Sequence, residues 1–449
     1  MSEETILVKA KYIVQNTSSY PSVLKDGAIL IQNGKIMKVA SEQEFTDHAD
    51  LVYDFPNHAV MPGIANAHSH AAMTLFRGYA DDLPLQQWLN EYIWPIERKM
   101  TKDDVYLGAK LAAVEALMSG TTLFNSQYWH PEMEAKAFLE VGVRLVCGPP
   151  VLSGMAGLSF PQELISTYHG KNDDMTRISM NPHAPYTVSP EEYARINDFV
   201  ENFNAKGNGP PMIVHTHVAE AKDEMDAIRG FAEKEGIVIP PDVSTPVEYL
   251  DKFDILRSFT LAAHAIEVPP KDQQTLAKHG VSVSVNTESN MKLANSVAPA
   301  QEYRQLGMSV GLGTDSACSN NSLDMFSTMK STAIVQKGFH TVPTRLPASE
   351  IISMATSGGA SAMGWKEVGD LLPGMYADLA VVDLNKPHLR PIPSGKTLLS
   401  HLVYAVKGSD VSDVMVGGVW KLRNRVPTGI DLPTLLEEFE TTALNLLKA

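Results

Sequence analysis

The sequence predicts an α/β fold: a (β/α)8 barrel of the TIM type, carrying a small β-sandwich domain formed from both termini. Three observations predict it. Eight short apolar runs alternate with segments of helical period through the middle of the chain, β-rich stretches lie at both ends, and histidines or an acid close five of the eight runs.

The first β-rich stretch holds Ile6–Ala10 and Gly27–Ile31, then Asn33-Gly34, then Lys35–Val39. Asn-Gly between two apolar runs marks a tight hairpin, because both residues tolerate the positive φ that such a turn requires. A matching stretch closes the chain, Gly374–Asp383 and Val411–Trp420. Read together, they set residues 1–58 and 365–449 as the two parts of the sandwich, the second with a terminal helix, and 59–364 as the barrel. The barrel runs are Ile64–Ala67, Thr121–Asn125, Arg144–Cys147, Ile178–Asn181, Met212–Thr216, Thr260–Ala263, Val281–Val285 and Val310–Thr314. Helical periodicity is clear over Asp103–Met118, Pro190–Asn204 and Gln301–Gln305.

Composition narrows the function. The chain has 449 residues, 44% apolar and 20% charged, enough for a large core. A net charge of −15 disfavours nucleic acid, whose binding draws on Lys and Arg. A small neutral or cationic molecule suits it better. Cys147 and Cys318, the only cysteines, fit neither a disulfide framework nor a thiolate metal site. The start Met1-Ser2-Glu3-Glu4 lacks the basic and apolar parts of a signal peptide, and no apolar run reaches about 18 residues, so a cytoplasmic protein without membrane contact is expected.

In such a barrel the chemistry gathers at the C-terminal ends of the strands. The first run ends in His68-Ser69-His70, the fourth in His183, the fifth in His217 with Glu220 just beyond, the sixth in His264 and the eighth in Asp315. Residues two apart on a strand share a side, so His68 and His70 can face one ion. Imidazole and carboxylate donors suit Zn²⁺ first, with Fe²⁺ or Mn²⁺ as further candidates, and three His with one Asp leave a position open for water. Singly, each residue has a plainer reading as a hydrogen-bonded core histidine or a helix cap; the joint placement argues for a metal-dependent hydrolase. The other histidines, such as His48, His130, His340 and His401, fall in the plainer class, and His215 is expected at the barrel wall or interior opposite His217.

Met61-Pro62-Gly63-Ile64-Ala65-Asn66-Ala67-His68-Ser69-His70 and Gly313-Thr314-Asp315 resemble the opening and closing motifs of the amidohydrolase superfamily. His70–Gly78, Asp81–Leu85, Trp94-Pro95-Ile96-Glu97 and Leu312–Leu323 are similar to its branch that deaminates 5′-methylthioadenosine and S-adenosylhomocysteine. The resemblance covers essentially the whole chain. It implies that His68, His70, His217 and Asp315 hold one divalent metal, that Asp315 also takes a proton from the attacking water, that Glu220 protonates the ring nitrogen, and that His264 orients the water. It further implies Glu97 on the ribose hydroxyls, His183 near the sugar ring oxygen, Trp88 as a wall of the purine pocket, and a homo-oligomer, dimer or tetramer. The fourth strand end, Ser179-Met180-Asn181-Pro182-His183, has no lysine to bridge a second ion, so one metal is expected.

Two departures bear on the substrate. Relatives that accept S-adenosylhomocysteine resemble one another in arginines after strand three, but no Arg lies between Arg144 and Arg177 here, which favours a neutral 5′ group. After strand seven, Val285 and Thr287 stand where a His and a Pro are usual, and Glu288 faces either the pocket or solvent. The leading expectation is hydrolytic deamination of an adenosine derivative. The alternatives are an amino- or chlorohydrolase of another heteroaromatic ring, such as a triazine, pterin or guanine, and a barrel kept as a scaffold without catalysis.

Overall fold

The computed structural model describes residues 4–17, 20–45, 49–154, 161–207 and 209–448; Met1–Glu3, His48 and the 155–160 part of the arginine-free stretch lie outside them. Two eight-stranded sheets organise the chain.

The barrel strands, numbered here as β1 to β8, are Ile64–Ser69, Thr121–Gln127, Arg144–Gly148, Thr176–Ile178, Val214–Val218, Thr260–His264, Ser282–Val285 and Val310–Leu312. They form one parallel sheet in which β8 pairs back onto β1, and the ring closes between β4 and β5 through Met180, whose N–H donates to Ile213 O at 3.0 Å and whose carbonyl accepts from His215 N at 2.9 Å. All eight expected runs are present as strands. β4 ends earlier than Asn181, because the chain breaks register and Asn181–Pro182 pairs with Pro150–Val151 instead. β8 stops at Leu312, and Asp315 beyond it has φ +60, a left-handed conformation that takes its side chain out of the strand repeat. Gly313 permits this close packing: a Cβ there would lie 2.5 Å from Asn286 Oδ1 and 2.9 Å from His68 N.

Helices close the βα units with the signals written in the sequence. Lys102–Met118 starts at Thr101, which shares a capping box with Asp104, and Pro190–Lys206 starts at Ser189 with Pro at its first position and ends at Gly207, φ +63. Their apolar faces pack on the strands around Phe124, Phe138, Leu145 and Tyr193.

The second sheet joins the termini. Leu51–Pro62 pairs in parallel with Thr5–Thr17 and antiparallel with Leu379–Asp383, so a strand from each end of the chain meets at the centre. The Asn33-Gly34 turn has φ +52 and +73, as a two-residue hairpin needs. By hydrogen bonding this is one continuous sheet that curls over its own core of Val8, Ile13, Ile29, Ile31, Val381 and Met415, and its outer strand Lys35–Ser41 returns to bond Met375 through Ile36 N at 2.9 Å. A buried ion pair, Arg144 Nε to Asp378 Oδ2 at 2.7 Å, ties β3 to this sheet. The last helix, Leu432–Lys448, reaches back to the barrel mouth and packs Ala443 and Leu446 in one apolar cluster with Met73 and Trp88. No helix among the described residues is long and apolar enough to cross a membrane.

Candidate active site

The strand ends converge as the alternation of side chains requires. His68 and His70 on and just past β1, His217 on β5, His264 at the end of β6 and Asp315 after β8 meet at the bottom of a cavity of about 780 Å³, open mouth included. His68 is the common corner of two triads, one with His70 and Asp315 and one with His217 and His264, whose candidate ligand atoms lie within 4.8 Å of one another. His68 Nε2 and His70 Nε2 each stand 3.4 Å from Asp315 Oδ1.

Hydrogen bonds behind the site fix which nitrogen faces it. His70 Nδ1 donates to Gln127 O and His217 Nδ1 to His183 O, both at 2.7 Å. A carbonyl only accepts, so the proton of each neutral ring sits on Nδ1 and the bare Nε2 is turned to the floor. Burial depresses both imidazoles, His217 well below its ordinary value, and brings His68 to about 4, so the rings stay neutral ligands. His68 Nε2 is buried without a hydrogen-bond partner. Bare or unpartnered nitrogens around a carboxylate oxygen are an arrangement that a divalent cation satisfies, and the donor set fits Zn²⁺ chemistry.

Of the two places expected for His215, wall or interior, the structure shows the interior, on the same side as His217 and not opposite it: its Nε2 lies 2.8 Å from His68 Nδ1, holding that ring from beneath. The same rule that paired His68 with His70 points His215 inward with His217, and the signal lay in His215-Thr216-His217. Three further residues went unnoticed in this role. Ser289 Oγ donates to Asp315 Oδ2 at 2.6 Å, Asn290 Oδ1 accepts from His264 Nδ1 at 2.9 Å, and Glu224 accepts from the backbone N–H of Ala219 and Glu220, both at 2.7 Å.

Glu220 reaches the floor from the turn after β5, where Ala219 has φ +52, and its Oε2 lies 3.8 Å from His264 Nε2. Burial raises the Glu220 carboxyl above its usual range. Burial works against charging His264, but Glu220 and Asp315 outweigh it and raise the imidazole. Burial likewise opposes ionising Asp315, yet His68 beside it holds that carboxyl well below its usual range. A carboxyl that burial raises and a carboxyl that its imidazole neighbours hold low thus share one floor, the contrast on which general acid and base catalysis draws.

The cavity walls carry the remaining expected residues. Trp88 is buried with Nε1 donating to Ala80 O at 3.0 Å, and it lines the cavity with Glu97 and His183. Glu97 is not a surface acid: burial pushes it up to about 7, against hydrogen bonds from Tyr128 and Trp129. His183 Nδ1 lies 2.9 Å from Thr187 Oγ1, and burial lowers the ring to about 3. An outer chamber shares Trp94, Glu97, Trp129, Leu152 and Tyr186 with the cavity and adds the exposed Arg98. No arginine lines the inner cavity among the described residues. Glu288 does not line the cavity; half-buried, its carboxylate accepts hydrogen bonds from the helix Met325–His340.

A model of the amidohydrolase family matches residues 59–421. A 5-methylthioadenosine/S-adenosylhomocysteine deaminase from Pelotomaculum thermopropionicum is 37% identical over 436 residues, 95% of each chain. A 5′-deoxyadenosine deaminase from Methanothermobacter thermautotrophicus is 36% identical over 452 residues, 99% of this chain and 100% of the other. Among solved structures, an adenosine deaminase from Xanthomonas campestris with bound zinc superposes with a TM-score of 0.88 at 30% identity, covering 99% of each chain.

Proposed function

The chain belongs to the amidohydrolase family, and from that premise we propose that it is a metal-dependent hydrolytic deaminase releasing ammonia from the 6-amino group of neutral adenosine derivatives. The observation that carries the reading is the floor of the cavity, where His68 and His70 turn Nε2 to Asp315, His217 and His264 converge on the same corner, and the carboxyl of a buried Glu220, raised by that burial, stands beside them.

His68, His70, His217 and Asp315 hold one divalent ion in this reading, Zn²⁺ before Fe²⁺ or Mn²⁺. When bound, the ion lowers the pKa of a water toward neutrality. Asp315 accepts a proton from the attacking water, and His264 fixes its orientation. Glu220 delivers a proton to the ring nitrogen beside C6, where electron density collects as the carbon becomes tetrahedral, and the amino group leaves as ammonia. Glu97 accepts from the ribose hydroxyls, His183 contacts the sugar near its ring oxygen, and Trp88 covers the purine face. Without an arginine in the inner cavity, an amino-acid carboxylate on the 5′ arm has no bidentate partner, so methylthio and deoxy substituents fit better than homocysteine. We also read residues 59–364 as the hydrolase unit, flanked by 1–58 and 365–449, and the protein as a cytoplasmic dimer or tetramer.

The test is ammonia release by zinc-loaded protein given 5′-methylthioadenosine, 5′-deoxyadenosine, adenosine, S-adenosylhomocysteine, guanine and an aminotriazine separately. Turnover of the neutral adenosines well above S-adenosylhomocysteine supports the reading. Turnover confined to the ribose-free rings overturns the nucleoside assignment and leaves the floor chemistry standing.

A further inference from the structure

The short helix Thr287–Lys292 after β7 carries two of the residues that hold the floor: Ser289, which donates to Asp315, and Asn290, which accepts from His264. A six-residue helix has too few internal hydrogen bonds to hold itself in place. Its outer side is fastened instead. Glu288 Oε1 accepts from Ser327 Oγ at 2.6 Å and Ser331 Oγ at 2.7 Å, and Oε2 from Thr328 Oγ1 at 2.9 Å and Asn320 Nδ2 at 3.2 Å. Asn320 Nδ2 also donates to Thr314 O at 2.9 Å, one residue before Asp315. Thr287 Oγ1 adds a contact of 2.9 Å to Thr332 Oγ1.

The partner helix Met325–His340 is itself fixed at its start, where Asp324 caps Phe326 N and accepts from Gly408 N, both at 2.9 Å. Ser327, Thr328, Ser331 and Thr332 lie on one face of it, as spacings of three and four residues require. Four donors to one carboxylate satisfy its lone pairs without any cation, a geometry that suits an anchor.

We propose that Glu288 is a positioning residue: by locking Thr287–Lys292 onto Met325–His340, it sets the placement of Ser289 and Asn290 and through them the orientation of Asp315 and His264. It touches neither the cavity nor the reacting atoms, so its effect falls on turnover rather than on substrate affinity. This inference rests on the deaminase reading for its kinetic test, and a second readout is independent of it.

The experiment compares wild type with Glu288→Ala, Glu288→Gln and Ser331→Ala, using 5′-deoxyadenosine as substrate. Glu288→Ala is expected to lower kcat by about 10- to 100-fold with KM within about 3-fold. Glu288→Gln, which keeps one accepting oxygen, and Ser331→Ala from the far side of the clamp give smaller losses of the same kind. Amide hydrogen exchange at residues 288–292 should rise in Glu288→Ala. An inactive wild type would strike the deaminase reading, and the exchange would then decide the anchor. Unchanged exchange, or kcat unaltered in a folded Glu288→Ala variant of an active wild type, would overturn the proposal.

Discussion

At the floor of the cavity each imidazole has one nitrogen committed to a partner: His68 to His215, His70 to the Gln127 carbonyl, His217 to the His183 carbonyl and His264 to Asn290. At the rim, Trp88, Glu97 and His183 stand on loops or short helical turns, and their polar partners are the Ala80 carbonyl for Trp88, Tyr128 and Trp129 for Glu97, and Thr187 for His183. The floor is therefore defined by angles and the rim by shape. Groups whose lone pairs must converge are placed from barrel strands or the residues directly after them, whereas groups that choose among substrates sit on loops where chain length and sequence vary at lower cost. The left-handed His264 and Asp315, φ +71 and +60, place local strain on the floor.

If that contrast is right, changes at the floor should cost turnover and changes at the rim should cost selectivity. The largest effect is expected for Glu220→Gln, which removes the proton donor: kcat should fall by about 10²- to 10⁴-fold with KM little changed, checked by steady-state kinetics at constant metal content. A comparable rise in KM would instead make Glu220 a binding group. Next, His215→Leu should lower metal affinity or activity by about 10- to 100-fold, because His68 loses the contact that sets its ring; titration of the metal by a competing chelator reads it directly.

At the rim, Glu97→Gln should raise KM for ribonucleosides and spare kcat. The Glu97 carboxyl, raised to about 7, loses its proton as pH rises through that value, and the carboxylate is the better acceptor for two hydroxyls. KM of the wild type should therefore fall between about pH 6 and 8, and the slope should vanish in the variant. A slope that survives the substitution assigns the titration to another group.

The smallest effect concerns stability. Glu134 is fully buried on the helix Pro131–Val141 and is pushed up to about 8 by burial, against a hydrogen bond from Ser126 Oγ at 2.6 Å. The unfolded chain releases this proton near the usual 4.5 while the folded chain keeps it, so stability falls as pH rises from about 4.5 to about 8. Glu134→Gln should flatten that decline in urea unfolding between pH 5 and 8, with little change in kcat.

Much of the barrel was legible because its signals are local. Apolar runs of strand length, the helical periods over Asp103–Met118 and Pro190–Asn204 and the Asn33-Gly34 turn act within a few residues, and the helices and the turn stand where the sequence places them. Strand limits were less legible, since β4 yields to a second pairing at Asn181–Pro182 that depends on Pro150–Val151, about thirty residues away. The partners behind the floor were least legible of all. Ser289, Asn290 and Glu224 are ordinary polar residues until the fold brings Asp315, His264 and the Glu220 backbone against them.

The sequence by itself determined the alternation of strands and helices, the pairing of both termini in one β-rich region, and which histidines and acids end the strands, because periodicity and residue type are properties of neighbouring positions. Only the tertiary structure decided which nitrogen of His70 and of His217 is bare, which carboxyls burial raises, and that Glu288 turns away from the cavity to fasten a helix. Those outcomes depend on burial and on hydrogen bonds between residues far apart in the chain, and a one-dimensional pattern carries no measure of either.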